Sequence, residues 1–324
     1  MQITVVITTH DRPALLREAI ASVESQRFDE WDIVVVDDGS SPAVALEPLH
    51  EELRGRIRLL RNEVAQGPSE ARNTGMRVAA GETIFFLDDD DLLDADTLAK
   101  IDAAFRDDAT LNCLFVNVEP FGSDAEGTQH NQVQAMSRVL DTMGQGLGDT
   151  EGVLRLDSGR LFGALLDRIP MAFQRVAIKR AQLQKVGLYS GKGFEDLEWY
   201  FRVALRCTCG LLRAPLYRVR CEGQSYFSRP EEKQRLIDTI IHMRKGLLNL
   251  DEVATTPALR DLTVAALASA NFNKAYYANE NNQPFPWRNL FDSAAHGLCW
   301  QHFSLAGKAL KNQMRNVVTR RHDN

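Results

Sequence analysis

This sequence predicts an α/β fold with a mostly parallel sheet and a helical C-terminal region. Three observations carry that expectation. Short apolar runs such as Val5-Val6-Ile7 and Ile33-Val34-Val35-Val36 lack polar alternation, as strands buried on both faces do. Through residue 120 or so they alternate with helical periodicity, the pattern of βαβ units. Thr8-Thr9, Asp37-Asp38 and Asp88–Asp91 follow three of these runs, at the carboxyl ends of strands where open sheets bind ligands.

The elements read in order as follows. Ile3–Thr8 is a strand. Pro13 suits a first helical position, with Asp11 as N-cap, and that helix runs to about Gln26. Ile33–Val36 is the second strand. A helical stretch near Ala43–Leu53 precedes a strand near Arg56–Leu60. Pro68–Ala80 is a helix closed by Gly81. Ile84–Leu87 is a strand, Asp94–Phe105 a helix and Cys113–Val118 a strand. Residues 121–160 are rich in Gly, Gln, Asp and Ser, with Gly144, Gly146, Gly148 and Gly152 close together. They read as a mobile loop, either part of an acceptor site or a variable insertion. Helices follow at Leu161–Leu166, Ile178–Val186 and Glu195–Arg206, with strand-like pieces around Leu211–Val219. From Pro230 the pattern is helical. The expected division is a catalytic region over 1–229 and a helical appendage over 230–324.

Bulk properties narrow the function. The chain has 324 residues, 44% hydrophobic and 25% charged, which is ordinary for a globular protein. A net charge of -6 argues against nucleic acid as a partner. No apolar run reaches transmembrane length, and the N-terminus lacks a basic leader region. Five scattered cysteines fit a reducing cytoplasm better than a disulfide framework. The expected location is cytoplasmic.

The run Asp88-Asp89-Asp90-Asp91 demands a physical account. Like charges a few Å apart repel by roughly 4 kcal/mol at an effective dielectric near 20. The run is either a solvated loop that caps the next helix or a site for a cation. Mg²⁺ and Mn²⁺ take oxygen ligands and share them with substrate phosphates. In extended chain, residues at i and i+2 point to one side, which suits Asp88 and Asp90 to a single ion.

Five blocks now fall in a recognisable order. They are Val5–Pro13, Ile33–Ser40, Gly67–Gly75, Phe86–Asp91, and Val186–Tyr189 followed by Glu195-Asp196 and Arg202. Over residues 1–229 or so the chain resembles the family 2 glycosyltransferases, nucleotide-sugar enzymes of the GT-A fold. The family usually has Asn where this chain has Asp11. The resemblance implies an inverting transferase that uses a divalent metal, Mn²⁺ or Mg²⁺, and probes a nucleotide-sugar donor, UDP-linked by expectation. Asp90 is then the firmer metal ligand. Asp88 faces the ribose or the metal's water, and Asp89 and Asp91 support them. Asp37 or Asp38 accepts the uracil N3–H. Thr9 and Asp11 lie near the nucleoside, and Arg72 meets the diphosphate. Asp196 is the general base toward a hydroxyl of a saccharide or lipid-linked acceptor. Glu195 and Trp199 are candidates for acceptor contact, although Glu195, Asp196 and Glu198 also suit the acidic first turn of a helix, and Trp199 also suits the core. Cys221 stands where relatives often carry His, which weakens any metal contact there. The Gln-x-x-Arg-Trp motif of processive synthases is absent, which favours addition of one sugar at a time.

Two rival functions are weaker. A sugar nucleotidylyltransferase wants a Gly-rich loop after the first strand, and Thr8–Pro13 has none. A non-catalytic sugar-nucleotide-binding relative would not be expected to keep Asp88, Asp90 and Asp196. At the C-terminus Lys308, Lys311 and Arg315 share one helical stripe, and Leu310, Met314 and Val317 another. That pattern fits peripheral membrane association on the inner face, a basic face in water, or a homodimer contact.

Overall fold

β-branched runs form the centre of the sheet because their side chains pack well on a pleated surface buried on both sides. The computed structural model describes residues 1–45, 55–145, 152–190, 196–222, 230–281 and 283–322. The chain divides into two compact units, Met1–Ser225 and Tyr226–Asn324.

The first unit is built on one nine-stranded sheet. In chain order the strands are β1 Ile3–Thr9, β2 Trp31–Asp38, β3 Ile57–Asn62, β4 Thr83–Asp88, β5 Leu92–Leu93, β6 Cys113–Phe121, β7 Val153–Arg155, β8 Val176–Lys179 and β9 Cys209–Arg220. The spatial order is β3-β2-β1-β4-β8-β6-β9-β5, with β7 beside β9. β3, β2, β1 and β4 pair in parallel, and β6 pairs in parallel with β9. β8 runs antiparallel to both β4 and β6, so six strands share a direction and β5, β7 and β8 oppose them. The α/β expectation with a mostly parallel sheet holds. Because β1, β2 and β4 are neighbours, their ends Thr9, Asp38 and Asp88 come out along one edge of the sheet.

The helices of this unit are α1 Pro13–Glu24, α2 Pro68–Val78, α3 Thr97–Asp107, α4 Ala125–Thr142, α5 Ser158–Asp167, α6 Leu183–Val186 and α7 Asp196–Arg206. The N-cap of α1 is Arg12, not Asp11. α2 packs directly on the sheet, and its Gly75 is the reason it can. A Cβ there would sit 2.4 Å from Val6 Cγ1 and 3.5 Å from Val36 Cγ2. Gly75→Ala is expected to cost about 1–3 kcal/mol of overpacking, reduced by up to about 1 kcal/mol of helix propensity. Urea unfolding checks this, and an unchanged midpoint would rule out the tight helix–sheet contact.

Three sequence expectations change. Within residues 121–160, the 18-residue helix α4 replaces a large part of the expected loop. Its buried residues Gln132, Ala135, Met136, Val139 and Leu140 have helical spacing, masked in the sequence by the polar residues between them. Gly146 and Gly148 lie outside the described residues, as does most of the expected Ala43–Leu53 helix. Ile178–Val186 is not one helix. Ile178 belongs to β8, where Val176, Ala177 and Ile178 are fully buried between two strands, and only Leu183–Val186 is α-helical. The pieces around Leu211–Val219 are a single strand, β9, whose pairing with β6 shifts register at Asn117.

The second unit is helical among the described residues: α8 Pro230–Leu247, α9 Asp251–Thr255, α10 Pro257–Glu280, α11 Trp287–Ala294 and α12 Trp300–His322. Ile241, Leu267 and Ala270 form one core cluster, and Ala275, Leu290 and Leu305 another. Among the described residues no helix is long and apolar enough to cross a membrane.

Candidate active site

The four aspartates lie where β4 stops. The Asp91 N–H donates back to the Asp88 carbonyl at 3.1 Å, and Asp89-Asp90 form a turn. The extended geometry expected for Asp88 and Asp90 is therefore not what brings them together. The turn sends the four carboxylates to a set of arginines, with Arg12 shared by Asp89 and Asp90 and Arg175 shared by Asp88 and Asp91.

Asp88 takes Arg72 Nη2 at 2.8 Å and Arg175 Nη2 at 3.4 Å. Its backbone N–H donates to the buried Tyr217 hydroxyl at 3.0 Å. Asp89 accepts from Thr9 Oγ1 at 2.6 Å and Arg12 Nη1 at 3.2 Å. Asp90 accepts from Arg12 Nη1 at 2.9 Å. Asp91 accepts from Arg175 Nη2 at 3.2 Å and from the Arg220 N–H at 2.9 Å. Arg220 also binds the Asp90 carbonyl through Nε at 2.9 Å. The run is thus not solvated as a whole: Asp89 and Asp91 are buried. Neither caps α3, whose N-cap is Asp96.

The arginines set the protonation of the run. Burial pushes the Asp88 carboxyl up, but Arg175 and then Arg72 outweigh it and hold it down at about 2. At Asp91 burial dominates over Arg175, repulsion from Asp88 and Asp90 adds to it, and the carboxyl is pushed up to about 7. Burial also raises Asp89, against the opposing pull of Thr9 and Arg12. Arg12, Arg175 and Arg220 were not singled out as site residues by sequence reasoning. Arg12 sits inside the first block and Arg220 beside Cys221, so both were within reach. Arg175 precedes the misread strand β8 and carried no motif.

Asp37 and Asp38 have different roles. Asp37 is 1% exposed and accepts from the Ser40 and Val44 N–H groups and from Arg61 Nη1 at 2.5 Å. Asp38 accepts from Asn62 Nδ2 and from the N–H groups of Gln66 and Gly67, the last at 2.8 Å. Asp38 thereby shapes the loop that leads into α2. Gly39 between them and Ser40 has φ +77, and a Cβ there would lie 2.6 Å from Ala65 N. Asp11 adopts φ 56, a left-handed conformation that Asn and Asp tolerate best, which accounts for either residue at this place. Its carboxylate holds the Ser41 N–H at 2.7 Å.

The Gly67–Gly75 block is equally resolved. Arg72 points to Asp88, whereas Asn73 is buried and clamps Tyr189. It accepts from the Tyr189 N–H at 2.8 Å and donates to the Tyr189 carbonyl at 2.9 Å. Arg202 of α7 ties the same loop, donating to the Leu188 carbonyl at 2.7 Å, to the Val186 carbonyl, and to Glu198. Asp196 is the first residue of α7, but its side chain lies outside the described residues, as does all of Glu195. Trp199 does not serve an acceptor. It is fully buried, its indole N–H donates to the Gly187 carbonyl at 2.8 Å, and its ring stacks 4.6 Å from Tyr189.

A cavity of about 530 Å³ opens over these groups, a size suited to a small ligand. Thr9, Arg12, Asp38, Arg72, Asp88, Asp89 and Asp90 line it; Asp11 and Asp37 do not. Among the described residues no three His, Cys, Asp or Glu are arranged as a ready-made metal cage. Asp88 and Asp90 offer two carboxylates to one cavity. That donor set fits Mg²⁺ or Mn²⁺ shared with substrate phosphates and water, since such ions often take only one or two protein carboxylates.

Comparison with known proteins agrees with this arrangement. Residues 4–162 match the family model described as Glycosyl transferase family 2. An Escherichia coli relative is named UDP-Glc:alpha-D-GlcNAc-diphosphoundecaprenol beta-1,3-glucosyltransferase WfgD. It is 35% identical over 96 residues, which are 30% of this chain and 38% of the relative. A Campylobacter jejuni relative is named GalNAc(5)-diNAcBac-PP-undecaprenol beta-1,3-glucosyltransferase. It is 35% identical over 103 residues, 31% of this chain and 33% of the relative. The match thus spans little more than a third of the length of these relatives. The crystal structure of S. aureus TarS 1-349 in complex with UDP aligns over 100% of this chain and 92% of its own, with TM-score 0.62 and 17% identity. At that identity the likeness is one of fold.

Proposed function

Residues 4–162 belong to glycosyl transferase family 2, and from that premise we propose that the protein is a metal-dependent, inverting glycosyltransferase. It moves one sugar from a UDP-sugar to a hydroxyl of a saccharide or lipid-linked glycan. The setting is assembly of a bacterial surface polysaccharide, on the cytoplasmic side. The catalytic part lies within 1–229, with 230–324 as the appendage. The name of the E. coli relative supports a UDP-linked donor, and the names of both the E. coli and C. jejuni relatives support the acceptor class.

One observation carries the reading. A single cavity at the strand ends collects Thr9, Asp38, Arg72 and three carboxylates of the Asp88–Asp91 turn. Between Asp38 and Asp37, Asp38 is the better acceptor for the uracil N3–H, because it lines the cavity and Asp37 does not. Arg12 and Arg72 are the cations nearest the cavity carboxylates, and both suit a diphosphate. Asp90 and Asp88 would hold the divalent ion. When bound, such an ion supplies charge neutralisation to the diphosphate leaving group. Asp196, at the start of α7, takes the acceptor proton.

Calorimetry of UDP binding with and without Mn²⁺ tests this. Asp90→Ala is expected to lose the Mn²⁺-dependent part of the affinity, roughly tenfold or more, equivalent to about 1.4 kcal/mol. Equal UDP affinity in variant and wild type, each with Mn²⁺, would remove Asp90 from the ion's ligands. A thermal-shift screen of nucleotide sugars with Mn²⁺ identifies the donor as the compound that raises the melting temperature most.

A further inference from the structure

The second unit carries a surface that its own packing leaves unused. Leu305 and Ala309 face inward on α12, with Leu305 in the cluster formed with Ala275 and Leu290. Large apolar side chains nearby point outward: Phe291 is 65% exposed, Leu298 62%, Trp300 80%, Phe303 57% and Leu310 47%. Helical spacing puts Trp300, Phe303 and Leu310 on the side of α12 opposite Leu305 and Ala309, and the exposed Lys308 and Lys311 border that stripe.

The charge of the segment says what covers it. From Ser293 to His322 the sequence contains Lys308, Lys311, Arg315, Arg320 and Arg321, with no Asp or Glu at all. The chain as a whole is acidic, at -6. A second copy of the same surface is a poor occupant. A two-fold interface pairs a patch with itself and would bring these cations together without an acid to offset them. An anionic bilayer answers both features. Aromatic rings and leucines enter the headgroup–acyl boundary, and the lysines and arginines remain at the anionic headgroups.

We propose that the outward face of α12, with Phe291 and Leu298 beside it in the chain, docks the protein on an anionic lipid bilayer as a peripheral contact. The proposal rests on exposure and charge in the second unit, independently of the transferase reading.

The test is flotation of the full chain with phosphatidylcholine vesicles, with and without phosphatidylglycerol. Wild type is expected to float only with the anionic vesicles, and to release as salt screens the headgroups. Lys308→Gln with Lys311→Gln should weaken binding roughly fivefold for each lysine. Trp300→Ser with Phe303→Ser should abolish flotation at low salt. These side chains are exposed, so unchanged melting confirms that the variants fold. UDP release from donor without acceptor should stay at the wild-type rate in both variants, which separates this proposal from the transferase reading. Absence of wild-type flotation on anionic vesicles would overturn it, as would equal flotation of wild type and both variants. A wild-type dimer in sedimentation that Trp300→Ser dissociates, without vesicle binding, would overturn it in favour of self-association.

Discussion

Asp196→Asn is expected to lower sugar transfer by roughly 10²–10⁴-fold, the usual contribution of a positioned general base. UDP binding should stay within about twofold of wild type, a free-energy change of roughly 0.4 kcal/mol. The amide keeps the size of the side chain and removes its capacity to take a proton. The residue opens α7, next to the loop that holds Tyr189. The measurement is initial-rate transfer beside calorimetry with UDP. Retention of full turnover would transfer the base role to another group. Loss of UDP binding together with turnover would make Asp196 part of the donor site.

Arg175→Met is expected to destabilise the fold by about 3 kcal/mol, at the low end of what removing one partner of a buried ion pair costs. Arg175 is largely buried, touches both Asp88 and Asp91, and lies over the Tyr217 ring at 4.8 Å from its centre. Without it, two carboxylates of the turn lose their shared cation. The loss stays below the upper range because Asp91, already pushed up to about 7, takes a proton readily. Urea unfolding at neutral pH reads the effect. A change under about 1 kcal/mol would mean that Arg72 and Arg12 suffice to balance the turn.

Much of the first 120 residues was legible because their strands are apolar on both faces and their turns carry Gly, Pro and Asp at strand ends. Part of the cavity's lining was legible for the same reason: Thr9, Asp38, Arg72, Asp88, Asp89 and Asp90 line it, but so does Arg12, and Asp11 and Asp37 do not. What failed to show was cooperative. α4 buries Gln132 at a position where a pattern search expects an apolar residue. β8 is four residues long and is defined by the two strands it pairs with, so its own sequence could not separate it from the turn that follows. Trp199 looked equally fit for ligand or core, and only the Gly187 carbonyl and Tyr189 ring decide for core. Arg175 gains its meaning from a turn 84 residues away in the chain.

Asn73 has a consequence for the order of events. Its paired bonds to Tyr189 join the helix that presents Arg72 to the loop leading toward Asp196. Arg72 also lies over the Tyr189 ring, 5.8 Å from its centre. Under the proposed roles of Arg72 and Asp196, the leaving-group side and the base side share one strut. A donor diphosphate seated against Arg72, as proposed, is then expected to fix the near anchor of the proposed base before an acceptor arrives. On that reading, initial-rate kinetics are expected to be ordered, with the nucleotide sugar first on and the nucleotide last off.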